Sequence, residues 1–269
     1  MEWRDTGFVL GARRHGESAL IVELLTREHG RHAGLVRGGQ SPRRRALLQP
    51  GNSVQASWRG RLPEHLGTLE CELVDPYAAR LLDDPDRLAA LAAASALLST
   101  TLPEREPHGD LHRSFAGLLG ALDSAPGSAR GPAPGSAGFW APSYVVWECD
   151  LLAGLGFGLD LGSCAATGAR DDLAYVSPRS GRAVSRTAGA PYHDKLLPLP
   201  GFLWRDTPAS QSDSRPEPVS REEIVAGLIL TGYFLIHHVL SPHGGKLPDA
   251  RQRFADRMRR AATAGIIDS

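Results

Sequence analysis

Apolar and polar residues alternate with period two through the first part of the chain. Val54-Gln55-Ala56-Ser57-Trp58-Arg59 puts Val54, Ala56 and Trp58 on one face of an extended strand. Leu69-Glu70-Cys71-Glu72-Leu73 alternates in the same way, and residues 8–12, 20–25 and 33–36 are shorter or more fully apolar runs. His15-Gly16, His29-Gly30, Gly38-Gly39 and Pro50-Gly51-Asn52 punctuate them as turns. Five short strands within residues 1–77 predict a small closed or partly open barrel, because a sandwich wants more strands and a flat sheet leaves open edges.

From residue 78 the period becomes helical. Leu88, Leu91, Ala92, Ser95 and Leu98 share a helix face after the acidic start Asp83-Asp84-Pro85-Asp86. Further helices are predicted over 111–122, 142–155 and 248–264, and from Ser220 to Ser241-Pro242, where Ser220-Arg221-Glu222-Glu223 has the spacing of a capping box. Residues 124–138 (SAPGSARGPAPGSAG) read as a flexible linker or loop, and 207–219 as a second Pro/Ser-rich loop. Between them, residues 160–200 are Gly-rich and irregular, with a hairpin predicted from 173–176 and 182–184 across Ser177-Pro178-Arg179-Ser180-Gly181. The apolar stretch 224–240 falls short of the ~20 residues of a spanning helix and ends on His237 and His238, so it reads as a core helix and no membrane partner is expected. The fold class expected is therefore α+β: a barrel domain over 1–77 followed by a mostly helical domain over 78–269.

Composition refines this picture only locally. With 42% hydrophobic and 22% charged residues the chain has the makings of a core. Basic and acidic residues balance at 30 each, so net charge selects no partner. Cys71, Cys149 and Cys164 are widely spaced and odd in number, which implies no disulfide framework and a reducing compartment. Met1-Glu2-Trp3-Arg4-Asp5 is too charged for a secretory leader. Lys195 and Lys246 are the only lysines, and Ala, Gly and Pro abound, as in a GC-rich coding sequence. Arginine in place of lysine therefore carries no message about ligands, although each guanidinium keeps its capacity for paired contacts with phosphate.

The distribution of charge does carry information. Between residues 13 and 61 lie arginines 13, 14, 27, 31, 37, 43, 44, 45, 59 and 61, against Glu17, Glu23 and Glu28. The densest part, Gly38-Gly39-Gln40-Ser41-Pro42-Arg43-Arg44-Arg45, is predicted to be a loop between strands. Glycines allow close backbone approach to a phosphate, and a hydroxyl and three guanidiniums supply donors. A small barrel with such a loop suits a nucleic-acid backbone, although a merely solvated basic face has the same composition. His32 and Trp58 are the aromatic candidates for stacking on bases, but the alternation around Trp58 favours the core.

Catalytic patterns are lacking. There is no G-x-S-x-G, Walker A loop, dinucleotide fingerprint or H-E-x-x-H. Adjacent His237 and His238 diverge on a helix, so at most one of them shares a site with His243. Glu70 and Glu72 share one strand face without further support for paired acid–base work. Cys164-Ala165-Ala166-Thr167-Gly168 looks like a zinc knuckle whose second ligand is Thr167; no cysteine follows, so no metal or other cofactor is expected.

Three stretches together resemble the RecO family of bacterial recombination-mediator DNA repair proteins. The first joins Gly7-Phe8-Val9-Leu10, His15-Gly16-Glu17-Ser18 and Leu25-Thr26-Arg27-Glu28-His29-Gly30. The second is Val36-Arg37-Gly38-Gly39-Gln40-Ser41 with Leu48-Gln49-Pro50-Gly51, and the third runs from Trp147-Glu148-Cys149-Asp150-Leu151-Leu152 through Leu155-Gly156-Phe157 to Gly168. The likeness covers roughly residues 1–185 in order and spacing. It implies an N-terminal OB-fold, a helical second domain and a degenerate zinc-ribbon-like insertion of the zinc-less branch, since Cys164 alone remains of the four cysteines many members use. It also implies a non-enzymatic, cytoplasmic and nucleoid-associated protein. Such a protein binds single- and double-stranded DNA, anneals complementary strands, pairs with RecR, and engages the C-terminal tail of single-stranded DNA-binding protein while RecA recombinase is loaded. Carried onto this chain, the expected DNA contacts are Arg37, Ser41, Arg43, Arg44 and Arg45, with Arg13, Arg14 and Arg59 as additions. Arg251, Arg253 and Arg257 are expected on a second contact surface, for DNA or for that acidic tail. Glu148, Leu151, Leu152 and Gly156 fit the family pattern as helix packing. The rival readings are an RNA-binding OB-fold protein and a protein-interaction scaffold that ignores nucleic acid.

Overall fold

The computed structural model describes residues 1–62, 64–124, 140–204 and 219–267. The expected linker at 124–138 and the loop at 207–219 lie, apart from Ser124 and Val219, outside the described residues. The chain divides into two compact units, Met1–Asp123 with Pro248–Phe254, and Ser124–Leu247 with Ala255–Ser269.

The first unit is built on a closed barrel, an OB-fold, of strands β1 (Glu2–His15), β2 (Ala19–Thr26), β3 (Gly30–Val36), β4 (Ser53–Arg59) and β5 (Thr68–Asp75), in the order β1-β2-β3-β5-β4. The pairings are antiparallel except β3 with β5, which are parallel and meet at Leu35 and Thr68. β1 is long enough to serve two neighbours: its first half pairs with β4 and its second with β2, with a register shift between Val9 and Gly11 that bends the strand around the barrel. Alternate residues fill the interior, among them Val9, Val22, Leu24, Val54, Ala56 and Trp58. Trp58 is 1% exposed, and its indole N–H donates to the Leu66 carbonyl at 2.9 Å, so the largest core side chain is buried without an orphaned polar atom.

Because β3 and β5 touch at a single position, the start of β3 needs another neighbour. A strap following α3 (Pro85–Thr101) supplies it. Glu104 bridges in parallel to Arg31, the Arg105 amide donates to the Arg31 carbonyl at 2.8 Å, and the Arg105 guanidinium donates to the Glu64 carbonyl at 2.9 Å. Arg105 adopts a left-handed backbone (φ 64) to make this turn. Gly30 lies beneath the strap with φ +64, and a Cβ there would come within 2.0 Å of the Glu106 carbonyl oxygen. α3 begins at Asp84, whose carboxylate accepts from the amides of Asp86 and Arg87, with Pro85 in the first turn. It and α4 (Gly109–Asp123) pack on the barrel through Leu91 against Gly51 and Phe115 edge-on to Phe8 at 5.4 Å. The expected boundary at residue 77 thus falls inside this unit.

In the second unit, α5 (Trp140–Gly154) packs on α7 (Arg221–Phe234), which starts with the capping box of Ser220 and Glu223. The close approach falls at Gly227, where a Cβ would lie 2.7 Å from the Val145 side chain. Glu148, Leu151 and Leu152 are all buried at 0% exposure, and the Glu148 carboxylate accepts from the Thr231 hydroxyl. A π-helical turn (Leu235–Leu240) ends this helix. Between α5 and α7, strands β6 (Leu173–Val176), β7 (Ala183–Ser185) and β8 (Leu197–Pro198) form a small antiparallel sheet ordered β7-β6-β8, with the short helix α6 (Arg186–Gly189) following β7. α8 (Asp249–Ile267) closes the described chain. Among the described residues one stretch, Arg221–Leu240, is long and apolar enough to cross a membrane by length and composition, and 56% of its apolar window is buried within the protein.

Candidate nucleic-acid interface

The basic segment expected as a loop folds into a short helix, α1 (Pro42–Leu47). Pro42 sits in the first turn, where its fixed φ and missing N–H cost nothing, and Ser41 precedes it in extended conformation without using its hydroxyl as a cap. Successive residues on a helix turn by about 100°, so Arg43, Arg44 and Arg45 fan out instead of facing one way. Arg44 turns back and donates to the Arg37 carbonyl at 2.7 Å. Arg37, Ser41, Arg43, Arg44 and Arg45 are all exposed.

Two side-chain amides hold this segment in place. The Gln40 amide donates to the carbonyls of Gly16 (3.1 Å) and Ala19 (3.2 Å), which latches the approach to α1 onto the turn between β1 and β2. That turn follows Arg13 and Arg14, both exposed near the end of β1. Asn52, buried at 2% exposure, donates to the carbonyls of Ala46 and Leu47 at the end of α1 and accepts from the amide of Ala78 in α2 (Tyr77–Arg80). Neither Gln40 nor Asn52 figures among the expected site residues; each lies in a turn whose polar side chain has no local signature of its distant partner.

This tip of the barrel carries Arg14, Arg37, Arg43 and Arg45, with Arg13 beside them on the opposite face of β1. Among the described residues none of these five forms an ion pair with a carboxylate. Arg31 is engaged by Glu23 and Glu104. A cleft of about 270 Å³ opens within the tip, with Arg14 and Arg45 on its rim.

The models of the Recombination protein O N-terminal and C-terminal families match residues 1–77 and 82–247. The DNA repair protein RecO of Rhodospirillum rubrum is 53% identical over 264 residues, covering 98% of this chain and 99% of that protein. The RecO proteins of Rhodospirillum centenum (51% over 269 residues; 99% and 98% covered) and Mesorhizobium japonicum (46% over 260 residues; 97% and 94%) are similarly close. The chain belongs to the RecO family.

Not every candidate lies at the tip. Arg59 is exposed but makes a bidentate pair with Glu2, at the far end of β1 from Arg13, so it is not part of the tip. Trp58 and His32 are buried at 1% and 5% exposure and do not present faces to bases. Burial first, and then the charges of Arg105 and His29, lower the His32 pKa to about 4. Trp3, half-buried, is stacked between His29 at 4.4 Å and Trp58 at 5.9 Å.

The expected second surface on α8 needs a correction. Arg251 is 1% exposed, in phase with the buried Phe254, Ala255, Met258 and Ala262 along one helix face, so it belongs to the inner side of α8. Arg253 is exposed and Arg257 half-buried.

In the stretch expected to form a degenerate knuckle, Cys164 is a buried free thiol. Its sulfur accepts from the Ser185 amide at 3.2 Å and lies 3.4 Å from the Ser185 hydroxyl. Burial raises its pKa, but hydrogen bonds from Ser185, Thr167 and the Ala166 backbone outweigh it and bring the thiol down to about 6. Among the described residues no three His, Cys, Asp or Glu side chains are placed to hold a metal ion. His237 rests on Tyr233 and His238 on Phe234, as packing partners. Glu70 and Glu72 are exposed on β5, and Glu72 meets Arg4 at 3.6 Å.

Proposed function

We propose that this RecO-family protein is a non-catalytic DNA-binding mediator of repair, gripping single and double strands through the arginine tip of its OB-fold. The observation that carries this is the set of five exposed guanidiniums without carboxylate partners among the described residues, held on a latched turn and a capped short helix. Such groups neutralise phosphates and release counterions with little regard to sequence. Holding two strands with their repulsion screened and base edges free is the basis of annealing. Family membership supports the rest of the reading: partnership with RecR, engagement of the tail of single-stranded DNA-binding protein, assistance to RecA loading, and a cytoplasmic, nucleoid-associated location.

The test is a salt titration of single-stranded DNA affinity. With about four phosphates neutralised, log K falls against log salt with a slope near −3. Replacing Arg43, Arg44 and Arg45 by alanine flattens that slope and slows annealing. An unchanged slope together with undiminished annealing removes the tip from the mechanism, and tighter binding of RNA than of DNA of the same sequence favours an RNA-directed role instead.

A further inference from the structure

We propose that the cleft in the tip holds one nucleobase turned out of a single strand. This rests on the nucleic-acid-binding reading and adds to it a site for a base beside the sites for phosphates. The cleft's volume of about 270 Å³ lies just below the range of roughly 300–1,000 Å³ that holds drug-sized ligands, and suits a single heteroaromatic ring with part of its sugar. Its chemistry is of two kinds. Ala12, Pro50 and the edges of the buried Leu20 and Leu48 give it a small apolar wall, and Gln40, Gln49, Arg14 and Arg45 give it a larger polar lining.

A phosphate alone has no use for the apolar wall, and an aliphatic ligand has none for two amides and two guanidiniums. A nucleobase has apolar faces and a polar edge, and matches both. The amides are already oriented. Both hydrogens of the Gln40 amide are taken by the carbonyls of Gly16 and Ala19, which leaves its oxygen as an acceptor. The Gln49 amide donates to the Arg45 carbonyl at 3.0 Å, which orients its oxygen likewise. Acceptor oxygens complement the N–H groups on the pairing edge of a base. No aromatic ring lines the cleft, so the base face meets aliphatic carbon and the planes of guanidiniums, a contact that tolerates any base. Phosphates on either side of the base fall to the exposed arginines of the tip. In a duplex the pairing edge is occupied and the base is stacked, so the cleft gives single strands an advantage that charge alone does not.

The experiment compares the full-length protein's affinity for oligothymidylate and for an abasic oligonucleotide of the same length and charge, by fluorescence anisotropy at fixed salt. We expect the abasic strand to bind about tenfold more weakly. Ala12→Leu fills the cleft from an exposed strand position, adds no aromatic surface and leaves every arginine in place; it is expected to abolish the difference. Equal affinity of the unaltered protein for the two strands overturns the inference and leaves phosphate gripping intact. So does a base preference that survives in well-folded Ala12→Leu protein, checked by its melting curve. Should Ala12→Leu fail to fold, the comparison on the unaltered protein with Gln49→Leu as the second variant decides, with the same two outcomes. Absence of binding to either strand at low salt refutes the nucleic-acid reading itself.

Discussion

A histidine whose folded pKa is about 4, against 6.5 when exposed, makes stability depend on pH in a definite sense. Below pH 6.5 the unfolded chain takes up a proton that folded His32 refuses, so stability falls as pH drops from about 6.5 to about 4 and levels off below. The shift corresponds to a loss on the order of 3 kcal/mol for this residue. His112, lowered first of all by burial, acts in the same direction. Urea midpoints at pH 7.5 and 4.5 should differ less for His32→Phe than for the unaltered protein; equal drops would show that the ring is not responsible. Gly30 makes a sharper demand. Its positive φ and its contact with Glu106 leave no room for a methyl group, so Gly30→Ala is expected to destabilise by at least about 3 kcal/mol, read from the same denaturation curves. A loss below 1 kcal/mol would mean the strap moves aside easily.

Among the elements, α1 is too short to persist by its own hydrogen bonds and depends on Asn52 for its terminal carbonyls. Asn52→Ala leaves those carbonyls and the Ala78 amide without their buried partner, and is expected to cost about 2–4 kcal/mol. It should also weaken DNA binding without removing any charge; full affinity in this variant would show that α1 needs no support. The regular elements were legible because their signals are local. The alternation over 54–59 is the pleat of β4, and Ser220 with Glu223 is a capping box in sequence and in space alike. α1 was not legible, since six residues with three arginines and a proline carry no apolar period. The strap was not legible either, because Arg105 bonds to Arg31, with which it shares no local pattern. Arg251 follows helical phase and not charge, which sets it on the inner side of α8. The candidate site was thus readable in its charged residues and opaque in the amides, Gln40, Gln49 and Asn52, that shape it.

At the scale of the molecule, the balance of 30 basic and 30 acidic residues conceals a strong local field, so salt sensitivity should follow the tip and not the net charge. Each tip arginine changed to alanine should lessen the slope of log K against log salt by about 0.7, whereas Arg59→Ala, already paired with Glu2, should leave it nearly unchanged. Slopes that respond equally to Arg59 and Arg43 would refute the distinction. The compact unit that carries the tip extends through α4, so a fragment ending at residue 77 should melt without cooperativity, exposing Phe8 and Leu91's seat on Gly51, while one ending at residue 123 retains a transition. The latching of α1 to the neighbouring turn has a thermodynamic corollary. A grip assembled before its cargo arrives has little chain motion left to surrender on contact, so association should carry a small conformational-entropy penalty and proceed at rates set by electrostatic encounter rather than by folding of the protein.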